Sequence, residues 1–280
     1  MKPLQLGLAL AATLAVALAV APASAQGGKS GAERLYILNC GEGVVGDISR
    51  FSPGVNVGKS MDFVDSCYLI KHAQGWLLWD TGVADAIAAM PEGQRPADPR
   101  GPIWRRPKTL AAQLDQLGVK PSDIKYVAVS HSHPDHIGNM TLFPQSMLLV
   151  QKAEYEGPSP LGPGFKPDHP VTKLEGDHDV FGDRSVMIIS TPGHTPGHQS
   201  LLVKLPKTGA VLLSGDGLLQ GKLGEPARAG EQRQQGQDRR LDAAHGGPHG
   251  EGKGAALVQS RQGAARRPED VARVLRVSAR

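Results

Sequence analysis

The sequence predicts an α/β or α+β domain, and three observations carry that reading. Short apolar runs of strand length recur through the middle of the chain, a stretch of helical spacing stands among them, and Gly- or Pro-containing turns close the runs. Strands with interspersed helices fit a layered domain. A chain of 280 residues suffices for one large domain or two small ones with a buried core. Having only Cys40 and Cys67, no three-residue Gly period and no heptad run, it is not a disulfide scaffold, collagen-like or coiled-coil protein.

Taken in order, the first segment reads as an export signal. Lys2 supplies the positive start, Leu4 to Val20 is an Ala/Leu/Val-rich run, and Ala23-Ser24-Ala25 offers a small-residue cleavage site before Gln26. The run is 17 residues long, at the lower edge of the ~17–25 needed to span a bilayer, so 1–25 reads as a cleaved signal rather than an anchor. Export to a periplasmic or secreted location permits a Cys40–Cys67 disulfide, and the sequence leaves open whether the two are joined or free. Leu35–Leu38 and Ser66–Ile70 are strands. The run from Trp76 to Asp80 follows a His72/Gly75 turn and forms a hairpin with the second of them. Thr109 to Leu117 has helical spacing through Leu110, Leu114 and Leu117 and stops at Gly118. Tyr126–Ser130, Met147–Val150, Val186–Ile189 and Ala210–Leu213 are further strands, and Glu156 to Pro170 is a Gly/Pro-rich loop.

The last quarter differs. Residues 217–280 hold 12 Lys and Arg against 7 Asp and Glu, while 1–216 hold 19 against 20, so the net charge of +4 belongs to one end. No aromatic residue follows Phe181, and only 10 of the final 64 residues are Val, Ile, Leu, Met, Phe, Trp, Tyr or Cys, too few to offset the entropy of ordering them. A basic tail invites a nucleic-acid reading, but without interleaved aromatics it is not a nucleic-acid-binding segment.

Chemistry-bearing residues cluster at strand ends. The strand ending at Ser130 runs into His131-Ser132-His133-Pro134-Asp135-His136, three imidazoles and a carboxylate within six residues, a donor set suited to zinc and its divalent neighbours. The strand ending near Ser190 runs into Thr191-Pro192-Gly193-His194-Thr195-Pro196-Gly197-His198, and that at 210–213 into Ser214-Gly215-Asp216. These three motifs, in this order, resemble the metallo-β-lactamase superfamily. Leu35 to Gly54, Val64 to Tyr68 and Leu77 to Gly82 are similar to its N-acyl homoserine lactonase branch.

That resemblance, which covers about 34–216, implies an αββα sandwich with metals at the sheet edge. His131, His133 and His194 would hold a first zinc and Asp135 and His136 a second, with Asp216 bridging them. Asp80 would support the metal loop through hydrogen bonds, and His198 would pack beside it. Two zincs activate water at neutral pH and polarise a carbonyl, and Asp135 would orient the nucleophile and pass a proton to the departing alkoxide. The substrate would be a small lactone or ester. A thioesterase or β-lactamase of the same fold is the alternative, since fold and metals do not choose the substrate.

The family's late histidine, from a run resembling Trp-x-x-His-Asp, is missing. His245 and His249, in Gly/Pro surroundings, are poor substitutes. The genetic code allows Leu257 to Gln262 to read Trp-Phe-Asn-His-Asp one base later. The same offset restores family-like segments through Lys222–Gly230 and Val271–Arg276. The expectation is one extra base near the codon for Gly217, which leaves 26–216 as an incomplete hydrolase domain and 217–280 as an out-of-frame tail. Such a chain would carry one or two metals, or persist as an inactive metal-binding remnant.

Overall fold

The computed structural model describes residues 31–51, 53–157 and 169–216, with backbone alone at 217–218, 256–258 and 273–274. The signal segment, His245, His249 and most of the tail lie outside the described residues. Among the described residues no helix is long and apolar enough to cross a membrane.

Two sheets face one another. The first contains β1 (Ala32–Val45), β2 (Met61–His72), β3 (Gly75–Trp79), β4 (Ile103–Arg105), β5 (Ile124–Ala128), β6 (Met147–Gln151) and β7 (Val171–Leu174). The second contains β8 (His178–Asp179), β9 (Val186–Ser190), β10 (Gln199–Leu205), β11 (Gly209–Leu213) and β12 (Ala256–Val258), and β13 (Arg273–Val274) joins the first beside β1. The strand orders are β13-β1-β2-β3-β5-β6-β7, with β4 also on β1, and β12-β11-β10-β9-β8. Helices α1 (Leu110–Gln116), α2 (Pro134–Ile137) and α3 (Lys152–Tyr155) occur between β4 and β7.

Side-chain alternation builds the layers. Leu35, Tyr68, Ile70, Leu77, Trp79, Ala128 and Leu149 meet Val186, Ile188, Leu201, Val203, Val211 and Leu213 in the core between the sheets. On the outer face of the first sheet, Leu38, Leu69, Leu78, Val127 and Leu148 pack against Leu110 and Leu114 of α1. Burial on both faces explains why β3, β5 and β6 read as continuous apolar runs. A helical layer over the outer face of the second sheet, expected for an αββα sandwich, is not among the described residues.

Register brings the chemistry to one edge. β3, β5 and β6 are parallel, with Trp79 opposite Ala128 and Ala128 opposite Leu149, so Asp80, the His131 loop and α3 all leave the sheet together. β9 and β11 both run antiparallel to β10, so the His194 turn and Asp216 leave the second sheet at a common edge too.

The expected hairpin forms between β2 and β3, pairing His72 with Gly75, and Thr109 caps α1 by accepting from the Ala112 amide. β1 is longer than the apolar core of its sequence implies, because an irregularity between Asn39 and Gly41 bends it and lets it continue as a polar edge. The unforeseen β10 follows directly on the His198 turn, which masks its start. Cys40 and Cys67 are buried and joined by a disulfide across β1 and β2, 27 residues apart in sequence. A loop of that length limits the unfolded chain by about 3 kcal/mol. The Cys40→Ala/Cys67→Ala double variant is therefore expected to lose about that much stability in denaturant unfolding. An unchanged midpoint would show that the bond contributes nothing.

Candidate metal centre

The centre begins with one backbone choice. Directly after β3, Asp80 adopts φ +58°, a left-handed conformation uncommon for a residue with a side chain. Its carboxylate thereby lies beneath the His131 loop. Asp80 Oδ1 accepts from the Ser130 amide at 2.6 Å, and Oδ2 accepts from Ser130 Oγ and lies 3.0 Å from His136 Nδ1. A carboxylate only accepts, so His136 Nδ1 carries a proton and Nε2 is turned inward. Ser130 Oγ, having donated to Asp80, accepts from His131 Nδ1 at 3.0 Å, which likewise leaves His131 Nε2 facing inward.

A second set of bonds holds α2 from above. Thr81 donates through its amide and hydroxyl to the His136 carbonyl, and Asn139 Nδ2 donates to the carbonyls of Thr81 and Val83. Gly138 closes this junction: a Cβ there would stand 2.4 Å from the Ala84 nitrogen, so a side chain would force the two loops apart.

Three imidazole nitrogens converge as a result. His131 Nε2 and His133 Nδ1 are 2.8 Å apart, and His194 Nε2 lies 3.1 Å from His133 Nδ1. Asp216 reaches in from the opposite sheet, with Oδ2 3.5 Å from His194 Nε2 and 3.9 Å from His131 Nε2, and Oδ1 3.5 Å from His136 Nε2. Asp135 Oδ2 stands 3.9 Å from His136 Nε2. Two overlapping groups can each surround a cation, His131/His133/His194 and His131/His136/Asp216. These groups contain five of the six residues expected from the sequence; Asp135 is in neither and stands beside His136. His198 is in neither group. Its Nδ1 lies 2.9 Å from Thr191 Oγ1, and it packs against His131 as expected of a supporting side chain.

The electrostatics suit positive charge. Burial, reinforced by the neighbouring imidazoles, pushes His131 well below the usual histidine range, and burial lowers His194 too. His136 is opposed by burial, yet the carboxylates of Asp80, Asp216 and Asp135 hold it well above that range. Burial would raise Asp216, but His136 keeps its carboxyl down at about 2. Imidazole nitrogens converging with a carboxylate are the donor set of zinc and related divalent ions.

A family model described as the metallo-beta-lactamase superfamily matches residues 62–257. The chain belongs to that superfamily. It is 32% identical over 199 residues to an N-acyl homoserine lactonase AttM of Azorhizobium caulinodans, covering 65% of this chain and 75% of the relative. An AttM of Rhizobium radiobacter is 34% identical over the same shares. Among solved structures, an N-acyl homoserine lactone hydrolase with N-hexanoyl-L-homoserine bound at its catalytic metal centre is 28% identical. It superposes with a TM-score of 0.58 over 66% of this chain and 76% of its own.

Against this metallo-beta-lactamase framework, several working residues carry no sequence signal. Ser130 passes for the last residue of a strand, and Glu154 lies 18 or more positions from either histidine cluster it touches. Phe63 and Trp104 meet edge to face at 5.1 Å. With Ile87, Pro96 and Ile137 they form the apolar wall of a cavity of about 1010 Å³ that opens onto His133, Asp135, His194 and Asp216. Nothing in their local sequence marks them. Because Asp80 fixes the His136 tautomer, Asp80→Asn is expected to weaken metal binding by about 10–100-fold, read by chelator competition. Unchanged affinity would remove Asp80 from this role.

Proposed function

We propose that this metal-dependent, lactonase-like hydrolase opens N-acyl homoserine lactones or similar cyclic esters in an exported location, with two zinc ions as cofactor. The observation that carries the reading is the junction of the cavity with the centre: an apolar wall for an acyl substituent leads directly to Asp135 and the imidazoles. The relatives named as N-acyl homoserine lactonases support it. The buried disulfide supports export, since such bonds persist in oxidising compartments.

In this reading His131, His133 and His194 hold one zinc, Asp135 and His136 hold the other, and Asp216 is shared. Bound there, the zinc pair would lower the pKa of water and polarise the ester carbonyl. The chain's own residues do the rest. Asp135, half exposed to the cavity, orients the attacking water and takes its proton as the water oxygen bonds to the carbonyl carbon. When the ring C–O bond breaks, that proton passes to the departing alkoxide, giving the hydroxy acid. The apolar wall excludes water from the remainder of the substrate.

We further propose that 217–280 is read out of frame from near the Gly217 codon, which deprives the second zinc of a late histidine. The coding DNA across Asp216 to Gln220 tests this directly: an extra base supports it, and an uninterrupted frame overturns it.

For the activity, the full chain is expected to hydrolyse N-acyl homoserine lactones in preference to thioesters and β-lactams. It should lose activity with a chelator and regain it with zinc. Asp135→Asn should lower kcat by about 10²-fold or more. Metal-loaded chain that turns over thioesters or β-lactams but no lactone would overturn the substrate; metal-loaded chain without any turnover would favour the remnant.

A further inference from the structure

The three-imidazole group alone draws on the turn after β9; its neighbour also spans the two sheets but takes Asp216 from the end of β11. His131 and His133 follow β5, and His194 follows β9. Asp80 and Ser130 act within the first loop and say nothing about how far away the second one stands.

Glu154 supplies that spacing. It lies on α3, immediately after β6, and is buried. Its Oε1 accepts from the Ser132 amide at 2.7 Å and from Ser132 Oγ at 2.6 Å. Its Oε2 accepts from Thr195 Oγ1 at 2.7 Å and from the Gly197 amide at 3.0 Å. Each oxygen serves one loop. Ser132 separates His131 from His133, and Thr195 follows His194, so each anchor adjoins the ligands it would set. The fit is close, because a Cβ at Gly197 would stand 2.1 Å from the Glu154 nitrogen, and any side chain there would lift the turn off α3. Among the described residues, no side chain other than the candidate ligands themselves, the imidazoles and Asp216, bonds to both loops. Burial would raise the Glu154 carboxyl, but the four donors outweigh it and keep the group ionised.

We infer that Glu154 is a positioning residue that clasps the two histidine loops and sets metal affinity at the His131/His133/His194 position selectively. This rests on the reading of those imidazoles as a metal site. The His136/Asp216 position, anchored through Asp80, is bound independently of it.

Glu154→Gln keeps the shape but turns an amide NH2 towards donors. Metal-stripped full chain, wild-type and variant, is titrated with Co2+ and then Zn2+ under chelator competition, with Co2+ absorption resolving the two positions. The expected result is about 10–100-fold weaker binding of one ion per chain, at the three-imidazole position, with the other ion held as in wild type. Thr195→Val removes only one of the four donors and serves the same test should Glu154→Gln not accumulate folded. Thr195→Ser should regain most of what Thr195→Val loses. Wild-type affinity at both positions, or equal weakening of both, overturns the clasp. Failure of the wild-type chain to bind an ion at the three imidazoles overturns the reading beneath it.

Discussion

The arrangement depends on the bonds that the Asp80 carboxylate makes from its left-handed backbone position. It satisfies the Ser130 amide, the Ser130 hydroxyl and His136 Nδ1 at once. Through Ser130 it also fixes His131. Two imidazoles from one short loop are thereby turned with their Nε2 atoms inward, and the energetic cost of an unusual φ is met by three hydrogen bonds to an ionised group. The parallel pairing of β3 with β5 makes this possible, since it brings the residue after Trp79 beside the residue after Ala128.

The two cation positions rest on different supports. One draws on the loop after β5 and on Asp216 after β11; the other draws on the same loop and on the turn after β9. A polar centre so deeply seated repays burial only when every donor and acceptor is met. Ser130, Thr81, Asn139 and Glu154, none of which lines the cavity, meet much of that demand, while His198 Nε2 is buried without a hydrogen-bond partner. The cavity beyond carries the apolar Phe63/Trp104 wall, with Arg50, Gln94, Asp98 and Thr141 also in its lining.

Much of this was legible in the sequence. The apolar runs gave the buried strands because parallel strands covered on both faces leave a local signal, and the three strand-end motifs gave His131, His133, His136, His194 and Asp216, which converge, because such residue types are dense in sequence there as well as in space. Asp80 was legible through the strand-end motif that contains it. Glu154 and Trp104 were not: their work is done by tertiary contact, and a carboxylate on a one-turn helix or an aromatic on a three-residue strand looks like any other. β10 was missed because its polar start is buried by hydrogen bonds rather than by apolarity, Gln199 donating to the Val129 and Leu149 carbonyls and Ser200 to the Ser214 carbonyl. The frame of the last 64 residues is a question for the gene, not for the fold.

The most direct measurement of the central claim is a crystal structure of the full chain grown with zinc, with anomalous differences recorded at the zinc edge. The account predicts two peaks, one among His131, His133 and His194 and one between His136 and Asp216. A map without a peak among those residues, or with zinc bound only elsewhere on the chain, would contradict it.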